Sequence, residues 1–116
     1  MSEFTIYHNP RCSKSRATLA LLEAQGIEPE VVLYLENPPS AAQIRGLLEK
    51  LAIPAEQLVR RGEDEYQQAG LGKNSSTEEL VAAMAKYPRL IERPVVVHED
   101  RAVLGRPPEN VLALLD

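Results

Sequence analysis

The chain has 116 residues, 44% hydrophobic and 26% charged, with a formal net charge of −4. That is enough for one domain with a single core of two or more layers and too little for two. It excludes disorder and a membrane span, since no apolar run approaches the ~20 residues that cross a bilayer, and the acidic balance argues against nucleic-acid binding while leaving room for arginine clusters that hold a small anion.

Phe4-Thr5-Ile6-Tyr7 alternates in the manner of a short strand, and Asn9-Pro10 is a turn signal that stops it. Ala17 to Gln25 reads as a helix with Leu19, Leu21 and Leu22 turned inward, capped by Ser13 or Ser15 and closed by Gly26 at the C′ position. Val31-Val32-Leu33-Tyr34-Leu35 is an apolar run of the kind buried in a parallel sheet, which completes a βαβ unit. Ser40 with Gln43 makes a capping box for a helix over 41–51, with Ile44, Leu47, Leu48 and Leu51 on one face. Pro54 opens a short helix that turns Leu58 and Val59 inward and delivers Arg60-Arg61-Gly62 to a turn.

Glu63 to Gln68 is a charged stretch expected to be exposed, and Leu71 to Ser75 reads as a loop. Ser76 with Glu79 makes a second capping box for a helix over 77–87, which Pro88 stops. Val95 to His98, a turn at Glu99-Asp100 and Ala102 to Leu104 form a β-hairpin. A last helix over 108–115 is expected to bury Val111, Leu112 and Leu115. The order βαβ, helical insertion at about 40–88, then ββα predicts an α/β protein. It is the order of a thioredoxin-like fold with a mixed central sheet, in one domain spanning 1–116.

Cys12 is the one cysteine of the chain and falls on the strand-to-helix turn. A lone cysteine is more often a small buried hydrophobe than a nucleophile. This one is flanked by Arg11, Ser13 and Lys14 on a helix-opening turn, which suits a thiolate better than a core. Unpaired N–H groups, the helix dipole and the cations Arg11, Lys14 and Arg16 can bring a thiol from about 8.5 into the range ~3.5–7.5. Ser15, three residues on, can point its hydroxyl at the sulfur. One cysteine cannot close a disulfide within the chain, so a reducing compartment is expected and any resolving thiol comes from another molecule. Met1-Ser2-Glu3-Phe4 lacks the features of a secretory signal, which adds to the expectation of a cytoplasmic protein.

Three arginines sit at breaks in the pattern: Arg60 after a short helix, Arg93 before Pro94, and Arg106 after the hairpin. Each is a candidate anion ligand. In a thioredoxin-like fold the loop before the third strand and the loop after the first share one sheet end, so Arg93 should approach Cys12, and the Arg93-Pro94 bond can be cis. His8 can donate to the thiolate or end the strand. No His, Cys, Asp or Glu cluster has metal-ligand spacing and no glycine-rich loop fits a nucleotide, so no bound cofactor or metal is expected.

His8-Asn9-Pro10-x-Cys12-x-x-Ser15-Arg16, Leu33-Tyr34-Leu35-Glu36-Asn37-Pro38-Pro39-Ser40, Arg93-Pro94 and Arg106-Pro107 together resemble the glutaredoxin-coupled arsenate reductase family over nearly the whole chain. The short chromosomal arsenate-reductase-like branch is the nearer likeness. The resemblance implies that Cys12 attacks arsenate, that Arg60, Arg93 and Arg106 hold the oxyanion, and that His8 and Ser15 assist the thiolate. It also implies glutathione as co-substrate and glutaredoxin as the protein partner. Ser13-Lys14 departs from the glycine that typically follows the cysteine in that family. A second reading is a redox-sensing regulator similar to the Spx proteins, which bind RNA polymerase; those often carry Cys-x-x-Cys, and Ser15 in place of the second sulfur favours the enzyme.

Overall fold

The computed structural model describes residues 4–115; the Met1–Glu3 start, expected to carry no leader, lies outside the described residues. The chain divides into two compact units, Met1–Asn37 with Arg93–Asp116, and Pro38–Glu92.

The first unit holds β1 (Phe4–His8), α1 (Ser13–Ala24), β2 (Glu30–Leu33), β3 (Val95–His98), β4 (Arg101–Leu104) and a 3-10 helix at Pro108–Leu114. Its four strands form one sheet in the order β2-β1-β3-β4. β2 runs parallel to β1, while β3 is antiparallel to β1 and β4 to β3. The sheet is therefore mixed, and with α1 joining the parallel pair the fold is thioredoxin-like. Ile6 of β1 and its register partner Val96 of β3 are fully buried. They pack with Leu22 of α1 and with Val111 and Leu114 of the 3-10 helix.

α1 ends as its sequence dictates. Gly26 takes φ +78, its N–H bonds the Glu23 carbonyl and the Ile27 N–H bonds that of Leu22, both at 3.0 Å, which is a Schellman closure. At its other end α1 starts at Ser13, earlier than the periodicity from Ala17 suggests, because the polar first turn Ser-Lys-Ser-Arg carries no apolar signal.

Two expectations are corrected in this unit. Val31 to Leu35 is not a buried central strand: β2 stops at Leu33, lies at the sheet edge, and leaves Val31 43% exposed. An apolar run does not report whether a strand has one neighbour or two. The last helix is 3-10, so residues three apart share a face. Val111 and Leu114 are buried and Leu112 is 42% exposed, where an α-helical period put Leu112 and Leu115 inside.

The second unit holds α2 (Ala41–Leu51), α3 (Ala55–Leu58), α4 (Asp64–Gln68), α5 (Thr77–Lys86) and a 3-10 turn at Pro88–Leu90. Both capping boxes close. Ser40 Oγ accepts the Gln43 N–H at 3.1 Å while Gln43 Oε1 accepts the Ser40 N–H at 2.9 Å, and Ser76 with Glu79 repeats the pair at 3.1 and 2.7 Å. The buried faces are Ile44, Leu47 and Leu48 on α2 and Leu80, Val81 and Met84 on α5. Glu63 to Gln68 is not simply an exposed stretch. It contains α4, too short to show a period, with Asp64 and Glu65 in the first turn where the dipole favours them. An isolated bridge between Val59 and Ile91, with the Arg60 N–H on Leu90 O and the Glu92 N–H on Leu58 O, both at 2.7 Å, ties the chain's exit from this unit to α3. No described helix is long and apolar enough to cross a membrane.

Candidate active site

Asn9 to Cys12 is a β-turn: the Cys12 N–H bonds the Asn9 carbonyl at 3.0 Å, with Pro10 at the position where its fixed φ is pre-set. Asn9 Oδ1 accepts the Arg11 N–H at 3.0 Å, a second local tie. The opening of α1 holds this turn from the other side. Ser15 Oγ accepts the Asn9 N–H at 3.0 Å and lies 2.6 Å from His8 Nδ1, and Arg16 donates to the Pro10 carbonyl at 2.8 Å. Ser15 is fully buried and His8 nearly so. The Ser15 hydroxyl is thus engaged with His8 and the loop backbone, and its part at the sulfur is played by its own N–H.

Cys12 is the N-cap of α1, in extended backbone conformation and partly exposed. As a thiol it makes no regular capping hydrogen bond. Burial pushes its pKa up, but the N–H of Ser15, the charge of Arg93, the N–H of Lys14 and a hydrogen bond from Arg93 together outweigh burial, so the pKa lies below the ordinary cysteine value. The cation responsible is Arg93 rather than Arg11, Lys14 or Arg16; Lys14 contributes through its backbone. His8 is shifted down by burial first and by the positive charge of Arg16 second, so its neutral form is favoured near neutral pH.

Arg93 reaches Cys12 because β3 runs antiparallel to β1, with Val95 opposite Tyr7; the residues just before Val95 meet those that follow β1. Arg106 arrives from the far end of β4, donating from Nη1 to the Arg93 carbonyl at 3.4 Å. The peptide bonds Arg93-Pro94 and Arg106-Pro107 are both cis. Arg60 belongs to the second unit, where it pairs with Glu63 at 3.0 Å and Glu92 at 3.9 Å. Glu63 also pairs with Arg89 at 3.0 Å.

Two residues that the sequence reading passed over organise this end of the sheet. Thr18, fully buried on α1, donates to the Lys14 carbonyl at 2.8 Å and lies 3.3 Å from the Gly105 carbonyl. The Gly105 N–H bonds the Pro94 carbonyl at 2.9 Å. A glycine next to the Arg106-Pro107 pair was the available signal. Among the described residues no group of three or more His, Cys, Asp or Glu is placed to hold a metal.

A thiolate next to a guanidinium can attack an electrophilic oxyanion, since one group supplies the nucleophile and the other neutralises the incoming charge. The chain is similar to several known proteins. The chain is 54% identical over 112 residues to the protein YfgD of Escherichia coli K12, covering 95% of this chain and 94% of the relative. It is 44% identical over 117 residues to the arsenate reductase of Neisseria meningitidis serogroup A, covering 99% and 100%. The solved arsenate reductase of Vibrio cholerae superposes with a TM-score of 0.91 at 48% identity, over 95% of both chains. These likenesses do not favour the Spx-like regulator. The model of the ArsC family matches residues 7–114, which include Cys12, Arg93 and Arg106, and with relatives this similar over nearly its full length the chain belongs to the ArsC family.

Proposed function

We propose that this protein is an arsenate reductase that works through Cys12, as a single domain spanning 1–116, with glutathione and glutaredoxin supplying electrons in the cytoplasm. The Cys12 thiolate attacks arsenic and forms an S–As bond, and an arsenic-bound oxygen leaves as water after taking up protons. Glutathione forms a second S–As bond with loss of another water. The glutaredoxin thiolate then attacks the glutathione sulfur; the S–As electron pair stays on arsenic, which passes from As(V) to As(III), and the mixed disulfide departs. Water finally releases arsenite from Cys12.

In this reading Arg93 and Arg106 hold the oxyanion through paired N–H donors, a geometry that guanidinium offers and ammonium does not. Arg60 is included as a third anion ligand on the strength of the family resemblance. Ser15 and His8 keep the loop in the shape that presents the sulfur. What supports the reading is that the antiparallel pairing of β3 with β1 brings Arg93 to the Cys12 loop, where its positive charge helps hold the Cys12 pKa below the ordinary cysteine value, in a chain 44% identical to a named arsenate reductase.

The test is arsenate-dependent NADPH consumption with glutathione, glutaredoxin and glutathione reductase, with Cys12→Ser as the blank. Turnover in the parent and none in Cys12→Ser is expected. Folded parent protein without arsenate-dependent consumption would overturn the proposal.

A further inference from the structure

The reaction just proposed needs a second thiol at the arsenic, and the chain's one cysteine is already committed. The entering thiol must reach the Cys12 loop from a side the arginines do not occupy. The strand order puts β1, which carries that loop, between β2 and β3. Arg93 enters from the β3 side and Arg106 from β4 beyond it. Neither arrives from the β2 side.

A groove of about 410 Å³ lies there, within the ~300–1,000 Å³ of small-ligand clefts. His8 and Asn9 line it from the end of β1, with Arg11 from the turn, and Leu33, Leu35 and Glu36 face them from the end of β2. The register explains the meeting, because His8 is opposite Leu33. After Leu33 the chain folds back, with the Glu36 and Asn37 N–H groups both on the Leu33 carbonyl at 3.0 and 2.9 Å. The groove therefore has an apolar wall, Leu33 and a 39% exposed Leu35, with a cation, Arg11, on one bank and an anion, Glu36, on the other. Neither charge is ion-paired among the described residues.

We propose that this groove is the glutathione subsite, an inference that rests on the reductase reading above. Glutathione carries one ammonium and two carboxylates around a central thiol. Glu36 receives the ammonium, Arg11 a carboxylate, and the leucines the aliphatic middle, so that the thiol points along the turn to the arsenic on Cys12. Its sulfur forms the second S–As bond and its proton leaves with the displaced oxygen as water; no electrons change hands until glutaredoxin attacks. The volume suits a tripeptide rather than a protein face, which assigns glutaredoxin to the later step.

The experiment uses S-methylglutathione, which binds without reacting, followed by amide chemical shifts of the full chain. Shifts at 8–11 and 33–36 are expected, with binding weakened at least ~5-fold by Arg11→Glu or by Glu36→Lys and partly restored when the two charges are exchanged together. In turnover, Glu36→Lys should raise the KM for glutathione by a similar factor and leave that for arsenate within about 2-fold. Shifts elsewhere, unchanged binding in both variants, or a change confined to the KM for glutaredoxin would overturn the subsite. Binding at this groove by a protein that does not reduce arsenate would keep the subsite and remove the arsenate reading, so the two can fail separately.

Discussion

Thr18 leaves Gly105 no room for a side chain: a β-carbon there would stand 2.5 Å from Thr18 Oγ1, 2.8 Å from Pro94 Cγ and 2.9 Å from Thr18 Cγ2. This close approach seats the end of β4, and hence Arg106, against the first turns of α1, where Cys12 lies. Gly105→Ala should lower stability in urea by about 1–3 kcal/mol, the usual cost of overpacking a tight site. Thr18→Ala removes two of the three obstructing atoms, so the double variant should recover part of that loss. Independent, additive losses would show that the contact does not govern the site.

The Cys12 thiolate owes much of its stabilisation to Arg93. Alkylation by iodoacetamide, followed against pH, should give a midpoint below that of ordinary cysteine in the parent, and Arg93→Gln should move it upward. Arg11→Gln should move it much less, because Arg11 is not among the groups that stabilise the sulfur. The reverse ranking would return the cationic field to the loop.

For His8 the sign of the pH effect is fixed by a folded pKa lying below the usual 6.5. Between those two values the unfolded chain binds more protons than the folded one, so His8 makes stability rise with pH across that window. Arg16→Gln removes the second cause of the shift, after burial, and should bring the His8 ring titration seen by NMR back toward 6.5. A ring that titrates at or below its parental value in that variant would exclude the Arg16 contribution.

Arg93→Lys and Arg106→Lys should each lower kcat/KM for arsenate by at least ~10-fold, about 1.4 kcal/mol, since lysine offers no planar fork. Thermal stability should change little. Arg60→Lys keeps the charge that faces Glu63 and Glu92, so a fall in kcat/KM without a fall in melting temperature would mark it as a substrate ligand. Parental kinetics in all three would leave Cys12 a reactive thiol without an anion pocket.

The parts legible in the sequence were those with local causes. Ser40 and Ser76 declare their capping boxes three residues ahead, Gly26 declares the end of α1, and Asn9-Pro10 declares the turn that presents Cys12. The meeting of Arg93 with Cys12 followed from strand order. What escaped depended on three-dimensional neighbours or on a choice between similar periods. Val31 does not reveal that β2 is an edge, Leu112 and Leu114 exchange places between 3.6 and 3.0 residues per turn, and the Ser15 hydroxyl turns to His8 because the loop backbone brings that ring within 2.6 Å.

That Cys12 itself forms the N-cap of α1 also bears on how the proposed cycle would end. When arsenite departs, the S–As bond breaks and sulfur must take back a full negative charge. It does so where the Ser15 and Lys14 N–H groups and the Arg93 guanidinium already stabilise that charge. A thiol of low pKa is a better leaving group. The field that prepares the attack therefore also expels the product, and weakening it should slow regeneration of the free enzyme as well as its first encounter with substrate.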